Sequence, residues 1–161
     1  MTSDALFRSS VMTVEPQWID YNGHLNMAYY NVLFDHGVDE AFAGLGLGPD
    51  YVKTHNASFY TMEVHLTYLR ELMEGDPVSI TLQMLDCDAK RCHFIQSMYH
   101  ATEGYLAATS EQICMHVDMG LKKSAPFPAE IHDNIKAMQE RHAALPRPPQ
   151  VGHVIGIPRK A

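Results

Sequence analysis

The sequence predicts an α+β domain: a long, curved antiparallel sheet of five strands wrapped around a central helix, with an additional helix near the C-terminus. Three observations point there. Apolar residues recur at three- and four-residue steps from Met27 to Leu45, the spacing of a helix of about five turns. Beyond residue 57 the apolar period switches to two, and the last three of these runs are separated by short turns, as in an antiparallel meander. Apolar residues are taken to cover much of the early helix's circumference, so it needs a wrapper, and a long curved sheet is the available one.

The elements follow in order. Val11 to Trp18 reads as a first strand, closed by Pro16 and an irregular stretch. Residues 19–26, I-D-Y-N-G-H-L-N, form a loop by composition. Asn26 is a good N-cap for the helix, Gly44, Gly46 and Gly48 end it, and Pro49 is expected to prevent its resumption. In the next run Tyr60, Met62, Val64, Leu66 and Tyr68 fall on one face, and Phe59, Thr61, Glu63, His65 and Thr67 on the other. Glu74-Gly75-Asp76-Pro77 is a turn, after which Val78, Ile80, Leu82 and Met84 alternate with polar residues. Strands over Arg91–Ala101 and Tyr105–Val117 flank a tight hairpin at Glu103-Gly104. Ile131, Ile135 and Met138 mark a helix over Ala129–His142.

One domain spans residues 1–161, with 143–161 a proline-bearing extended tail lying along the domain or a partner. No repeat or linker divides the chain.

Composition excludes several classes of function. Twelve Lys and Arg against nineteen Asp and Glu give a net charge of −7, which argues against a nucleic-acid binder. No apolar run approaches the roughly 20 residues of a membrane span, and no leader peptide is legible at the amino terminus, so a cytoplasmic location is expected. The three cysteines (Cys87, Cys92 and Cys114) lack CxxC spacing and read as reduced thiols. Ten histidines are scattered with no HExxH, so no metal and no organic cofactor are expected.

The stretch V-x-P-x-x-I-D-Y-N-G-H-L-N-x-A-Y-Y, Val14 to Tyr30, together with Phe34-Asp35, resembles the opening of the 4-hydroxybenzoyl-CoA thioesterase-like family of hot-dog proteins. The similarity continues through Glu63-x-His65-x-x-Tyr68-Leu69-Arg70-Glu71, Asp88-x-Lys90-Arg91, Ala108 to Gln112, His116-Val117-Asp118 and Ala125-Pro126-Phe127-Pro128, covering roughly residues 10–130. The full set is most similar to the betainyl-CoA thioesterases of bacterial carnitine breakdown. The resemblance implies a hot-dog fold and hydrolysis of a short acyl-CoA thioester to free acid and coenzyme A. The substrate expected is betainyl-CoA, yielding glycine betaine. It also implies an assembly that is a homodimer or a dimer of dimers.

A thioester hydrolase must supply or activate a nucleophile and must hold negative charge on the carbonyl oxygen. A carboxylate just before a helix start meets the first need, and unpaired N–H groups at that start meet the second. Asp20, six residues before Asn26 and preceding the Asn22-Gly23 turn, is placed for this. The resemblance assigns it the catalytic carboxylate, as nucleophile or as general base on water, with a backbone N–H near Met27 as oxyanion donor. His24 either orients the water and touches the acyl group or fixes the loop by hydrogen bonding. Asn26 caps the helix and so aims its start at the substrate. Glu63 is a second carboxylate for the chemistry or a hydrogen-bonded brace.

For the ligand's two ends, Arg70, Lys90 and Arg91 are the basic candidates for anionic coenzyme A in an acidic protein. Trp18, Tyr29, Tyr30, Tyr60, Tyr68 and Asp35 are the candidates for a trimethylammonium acyl group, which binds against aromatic faces near a negative charge. Two other functions remain open. A hot-dog enoyl-CoA hydratase or dehydratase uses a D-x-N-P-x-H loop, which the shorter, proline-free D-Y-N-G-H does not match. A non-catalytic acyl-CoA binding protein would not need Asp20.

Overall fold

The computed structural model describes residues 5–160. In chain order the strands are β1 (Phe7–Arg8), β2 (Met12–Thr13), β3 (Ala57–Tyr68), β4 (Pro77–Cys87), β5 (Arg91–His100), β6 (Leu106–Asp118) and β7 (Lys123–Ser124). The helices are α1 (Met27–Ala43), α2 (Pro49–His55) and α3 (Ala129–His142), and a 3₁₀ turn covers Pro16–Trp18. The sheet order is β1-β4-β5-β6-β3, antiparallel throughout, with β2 on β4 and β7 on β6. The β4-β5-β6 meander is the one expected, turned by the left-handed Gly104 (φ +78°).

This is a hot-dog-like α+β arrangement, but the curved five-stranded wrapper is corrected. The sheet has seven strands and is open: β1 and β2 lie at one edge, β3 forms the other, and the two edges do not pair. α1 lies on one face of it. The reason is visible in α1 itself. Its buried residues, Tyr30, Leu33, Phe34, Gly37, Val38, Ala41 and Phe42, step by three and one along a single stripe. Asn31, Asp35, His36, Asp39 and Glu40 are exposed. A helix with one apolar stripe requires cover on one side only.

Three smaller expectations also change. The first strand shrinks to Met12–Thr13, because Pro16 starts a 3₁₀ turn that carries the chain away from the sheet. Pro49 does not block a helix but opens one, sitting at the first helical position of α2 where a missing N–H costs nothing. On β3 a bulge between Thr61 and Glu63 inserts Met62 and reverses the alternation. Directly paired residues share a face. Glu63 opposite Ile113 and Tyr60 opposite Met115 therefore point away from α1, while Val64 opposite Gln112 and Leu66 opposite Ser110 point toward it.

The core lies between α1 and the sheet. Gly37 permits close approach: an added Cβ would lie 2.9 Å from Gln96 Nε2 and 3.1 Å from Ile80. That Gln96 amide donates to the Phe34 carbonyl (3.0 Å) and its oxygen accepts from Gln112 (3.0 Å), so the buried polar groups are satisfied. α3 packs on β4 through Ile131, Ile135 and Met138. Its His142 accepts the Met84 N–H at Nδ1 (2.9 Å) and donates from Nε2 to the Ala5 carbonyl (3.0 Å). The three cysteines are free thiols, and among the described residues no helix is long and apolar enough to cross a membrane.

Candidate active site

The loop before α1 is a small hairpin closed by an Ile19–Leu25 bridge. The Asp20 N–H donates to the His24 carbonyl (3.1 Å) and the Asp20 carbonyl accepts from Gly23 N–H (3.0 Å). Tyr21, Asn22 and Gly23 form the three-residue connection, and Gly23 takes the left-handed conformation (φ +83°) that such a loop needs at this position. Leu25 N–H on the Leu72 carbonyl (2.8 Å) and Asn26 N–H on the Trp18 carbonyl (2.9 Å) fasten the hairpin to the body.

The half-buried Asp20 carboxylate accepts two hydrogen bonds. Oδ1 takes the Asn22 backbone N–H at 2.8 Å, and Oδ2 takes the Asn26 side-chain amide at 3.2 Å. It makes no ion pair among the described residues. Asn26 is at the same time the N-cap of α1, its Oδ1 accepting from Ala28 N–H at 2.9 Å. One side chain thus ties the carboxylate to the helix start. With Ala28 capped and Tyr29 N–H bonded to the Asn26 carbonyl (3.0 Å), the Met27 N–H has no acceptor among the described residues. It projects from the positive end of a 17-residue helix, where a developing oxyanion is favoured.

Tyr68, one of the aromatic residues expected around the site, holds this first turn from below. Its hydroxyl donates to the Met27 carbonyl (2.9 Å) and its ring meets Tyr30 edge-on at 5.1 Å. The sequence reading places it there as an aromatic face for the acyl group; in the structure it braces the helix start. Tyr30 itself is core: it is buried, it donates to the Arg70 carbonyl (3.4 Å), and burial pushes its phenol up to about 12. Trp18 and Tyr29 stack with centroids 5.8 Å apart at 16°, beside the loop and open to solvent on part of their surface. His24 Nδ1 lies 3.3 Å from the Leu25 carbonyl, a contact within the loop.

The other candidates lie elsewhere. Asp35 is exposed eight residues into α1, about 12 Å along its axis from Met27, where its charge adds to burial in pushing Asp39 up. Tyr60 sits on the sheet face away from α1, parted by the β3 bulge from Val64 and Leu66, which face the helix. Arg70 stacks over Tyr105 (3.8 Å) and reaches Glu103 (4.0 Å) near the loop end of the sheet. Lys90 and Arg91 lie in the β4–β5 turn at the other end, about 30 Å away along a ten-residue strand. Arg91 pairs with Asp88 (2.5 Å), which holds that carboxyl down at about 2. The three basic residues therefore do not form one patch within the chain.

Glu63 lies five residues before Tyr68 on β3, about 16 Å along the strand, and opens on a cleft of about 480 Å³ on the outer sheet face. His65, His93, Glu111, Asp88 and Arg91 also line it. Here Glu111 is occupied on both oxygens, by His93 Nε2 at 2.8 Å and by the Gly152 backbone N–H at 2.7 Å. Among the described residues no group of three or more His, Cys, Asp or Glu is placed to hold a metal ion.

The model of the thioesterase-like superfamily matches residues 14–135, and the chain belongs to that family. The betainyl-CoA thioesterase of Pseudomonas aeruginosa is 40% identical over 145 residues, covering 90% of this chain and 91% of that one. The L-carnitine dehydrogenase/betainyl-CoA thioesterase of Rhizobium meliloti is 38% identical over 146 residues, covering 91% of this chain but 29% of the longer protein. Among solved structures, a Staphylococcus aureus protein in complex with CoA superposes with a TM-score of 0.88 at 32% identity, covering 95% of this chain and 96% of that one.

Proposed function

We propose that the protein is a betainyl-CoA thioesterase, converting betainyl-CoA and water to glycine betaine and coenzyme A. Acyl-CoA thioester hydrolysis is the activity of the protein; the betainyl group is the finer reading, supported by its likeness to the Pseudomonas aeruginosa relative. One observation carries the chemistry: among the described residues the Met27 N–H at the helix start has no acceptor, and it is tied through Asn26 to a carboxylate, Asp20, that makes no ion pair.

In the proposed mechanism the thioester carbonyl oxygen points at the Met27 N–H, which donates to it as negative charge develops. Asp20 either attacks the carbonyl carbon, giving an anhydride that water then opens, or takes a proton from the attacking water. In both routes the carbon–sulfur bond breaks and the thiolate leaves with a proton from solvent. Asn26 keeps the Asp20 carboxylate aimed by holding Oδ2. The stacked Trp18–Tyr29 pair presents aromatic surface beside the loop for the trimethylammonium group. Glu63 has no role in this chemistry within one chain, and no metal or organic cofactor takes part.

The protein acts as a homodimer or a dimer of dimers. β3 is an edge strand of twelve residues with an exposed middle, and an unpaired edge of that length requires cover that a second copy supplies.

The test is a free-thiol assay over a panel of acyl-CoAs including betainyl-CoA and its neutral isostere 3,3-dimethylbutyryl-CoA. The expected result is metal-independent turnover with at least a tenfold preference in kcat/KM for betainyl-CoA, since a cation over aromatic faces is worth about 0.5–2 kcal/mol per face. Equal kcat/KM for the two removes the betaine assignment. Loss of activity with a chelator, restored by zinc, removes the metal-free mechanism.

A further inference from the structure

We propose that the C-terminal tail is an exchanged arm, residues 154–157 of one copy packing on the outer sheet face of a second copy around Tyr60. This rests on the reading of the protein as a dimer joined at β3.

The tail crosses its own sheet in one direction. At β4 the Pro146 carbonyl accepts from Gln83 (3.5 Å); at β6 the Gly152 N–H donates to Glu111 (2.7 Å); at β3 the His153 ring meets the His65 ring at 5.9 Å. Since β4, β5, β6 and β3 are adjacent in that order, the path ends over the edge strand. Residues 154–157 follow directly after that contact. They are Val-Ile-Gly-Ile, and Val154, Ile155 and Ile157 are 84%, 84% and 82% exposed. Three aliphatic side chains within four residues, left in water next to a contact with the edge strand, mark an interaction surface.

The second copy is the occupant that the geometry supports. The exposed part of β3 is residues 60–64. Antiparallel pairing of two β3 strands about a two-fold axis through the middle of that run sets His65 of one copy beside the Phe59–Tyr60 stretch of the other. An arm leaving one subunit at His65 therefore passes over Tyr60 of the second copy. That ring lies on the outer face beside Met115, its cross-strand neighbour, and is 46% exposed. Four extended residues reach about 13 Å, enough to cross β3 and arrive at β6 of the second copy at about 4.8 Å per strand. Symmetry repeats the contact, so the dimer gains it twice.

The test is sedimentation equilibrium of the full chain and of a variant carrying Val154→Asp, Ile155→Asp and Ile157→Asp, with hydrogen exchange on both. All three positions are exposed, so the subunit fold does not depend on them. The expected result is a dimer dissociation constant raised at least tenfold, with amides 154–157 exchanging at least tenfold more slowly in the wild-type dimer than in the variant. An unchanged constant with unprotected 154–157 amides in the wild type overturns the arm and leaves the dimer standing. A wild type that sediments as a monomer at micromolar concentration overturns both.

Discussion

The Asp20 loop and the outer-face cleft differ in how their carboxylates are held. The cleft has more titratable groups and more enclosed volume, yet its central Glu111 is occupied on both oxygens, by His93 and by Gly152 N–H. The loop has one carboxylate, no ion pair among the described residues, and a neighbouring N–H with no acceptor. Hydrolysis needs a group free to act and a donor free to receive charge. By that measure the sparse loop is the region we propose for the reaction, and the crowded cleft fastens the tail through Gly152.

The substitution that separates the two regions most strongly is Asp20→Asn. Its Oδ1 still accepts from Asn22 N–H, so the hairpin is kept, while nucleophile and base are both lost. We expect kcat to fall at least about 100-fold, with an unchanged unfolding midpoint; near-full kcat takes Asp20 out of the reaction.

Tyr29→Leu sharpens what the loop recognises. Removing one face of the Trp18–Tyr29 stack should cut the preference for betainyl-CoA over 3,3-dimethylbutyryl-CoA about tenfold, the scale of one cation–aromatic contact. A preference that survives intact would place the acyl group elsewhere.

Asn26→Ala acts on the link between carboxylate and helix. It removes a cap worth about 1 kcal/mol and so lowers Tm by about 2–4 °C. It also releases Asp20 Oδ2, and kcat should drop roughly fivefold, the equivalent of about 1 kcal/mol in the barrier. A thermal shift with kcat intact would reduce Asn26 to a cap.

A fourth expectation concerns pH and lies outside both regions. Burial depresses the His142 pKa below its ordinary 6.5, with the Arg141 charge adding to it and the hydrogen bond to the Ala5 carbonyl opposing it. The unfolded chain therefore binds this proton first. Stability is fully present above about pH 6.5 and falls as pH drops from there through the folded value. Thermal unfolding between pH 7.5 and 5 should show a declining Tm whose slope is reduced in His142→Gln; identical slopes would show that another group sets it.

Much of this was legible in the sequence. The loop was, because Asp, Asn, Gly and Asn at fixed offsets encode a hairpin and a cap locally, and local hydrogen bonds realise them. The meander and α3 were, because their apolar residues keep the period over most of each element and the register shifts fall near the strand ends. The wrapped sheet was not: apolar residues on α1 were read as covering its circumference, although their spacing marks one stripe. The faces of β3 were misread because a bulge at Met62 leaves no signature in an alternating run, and everything after it switches sides. That one residue puts Glu63 on the outer face at the cleft and parts Tyr60 from Val64 and Leu66, with which it shared a face in the unbroken alternation. The separation of Arg70 from Lys90 and Arg91 depends on which strand ends they occupy, a property of topology that composition does not carry.

The smallest effect is expected from Glu63→Gln, and it tests most directly the claim that the loop and not the cleft does the chemistry. Measured on betainyl-CoA beside Asp20→Asn, in the same assay and at saturating substrate, Glu63→Gln should hold kcat within about threefold of the wild type while Asp20→Asn loses at least about 100-fold. A Glu63→Gln loss as large as that of Asp20→Asn would contradict the account and make the outer-face cleft part of the active site.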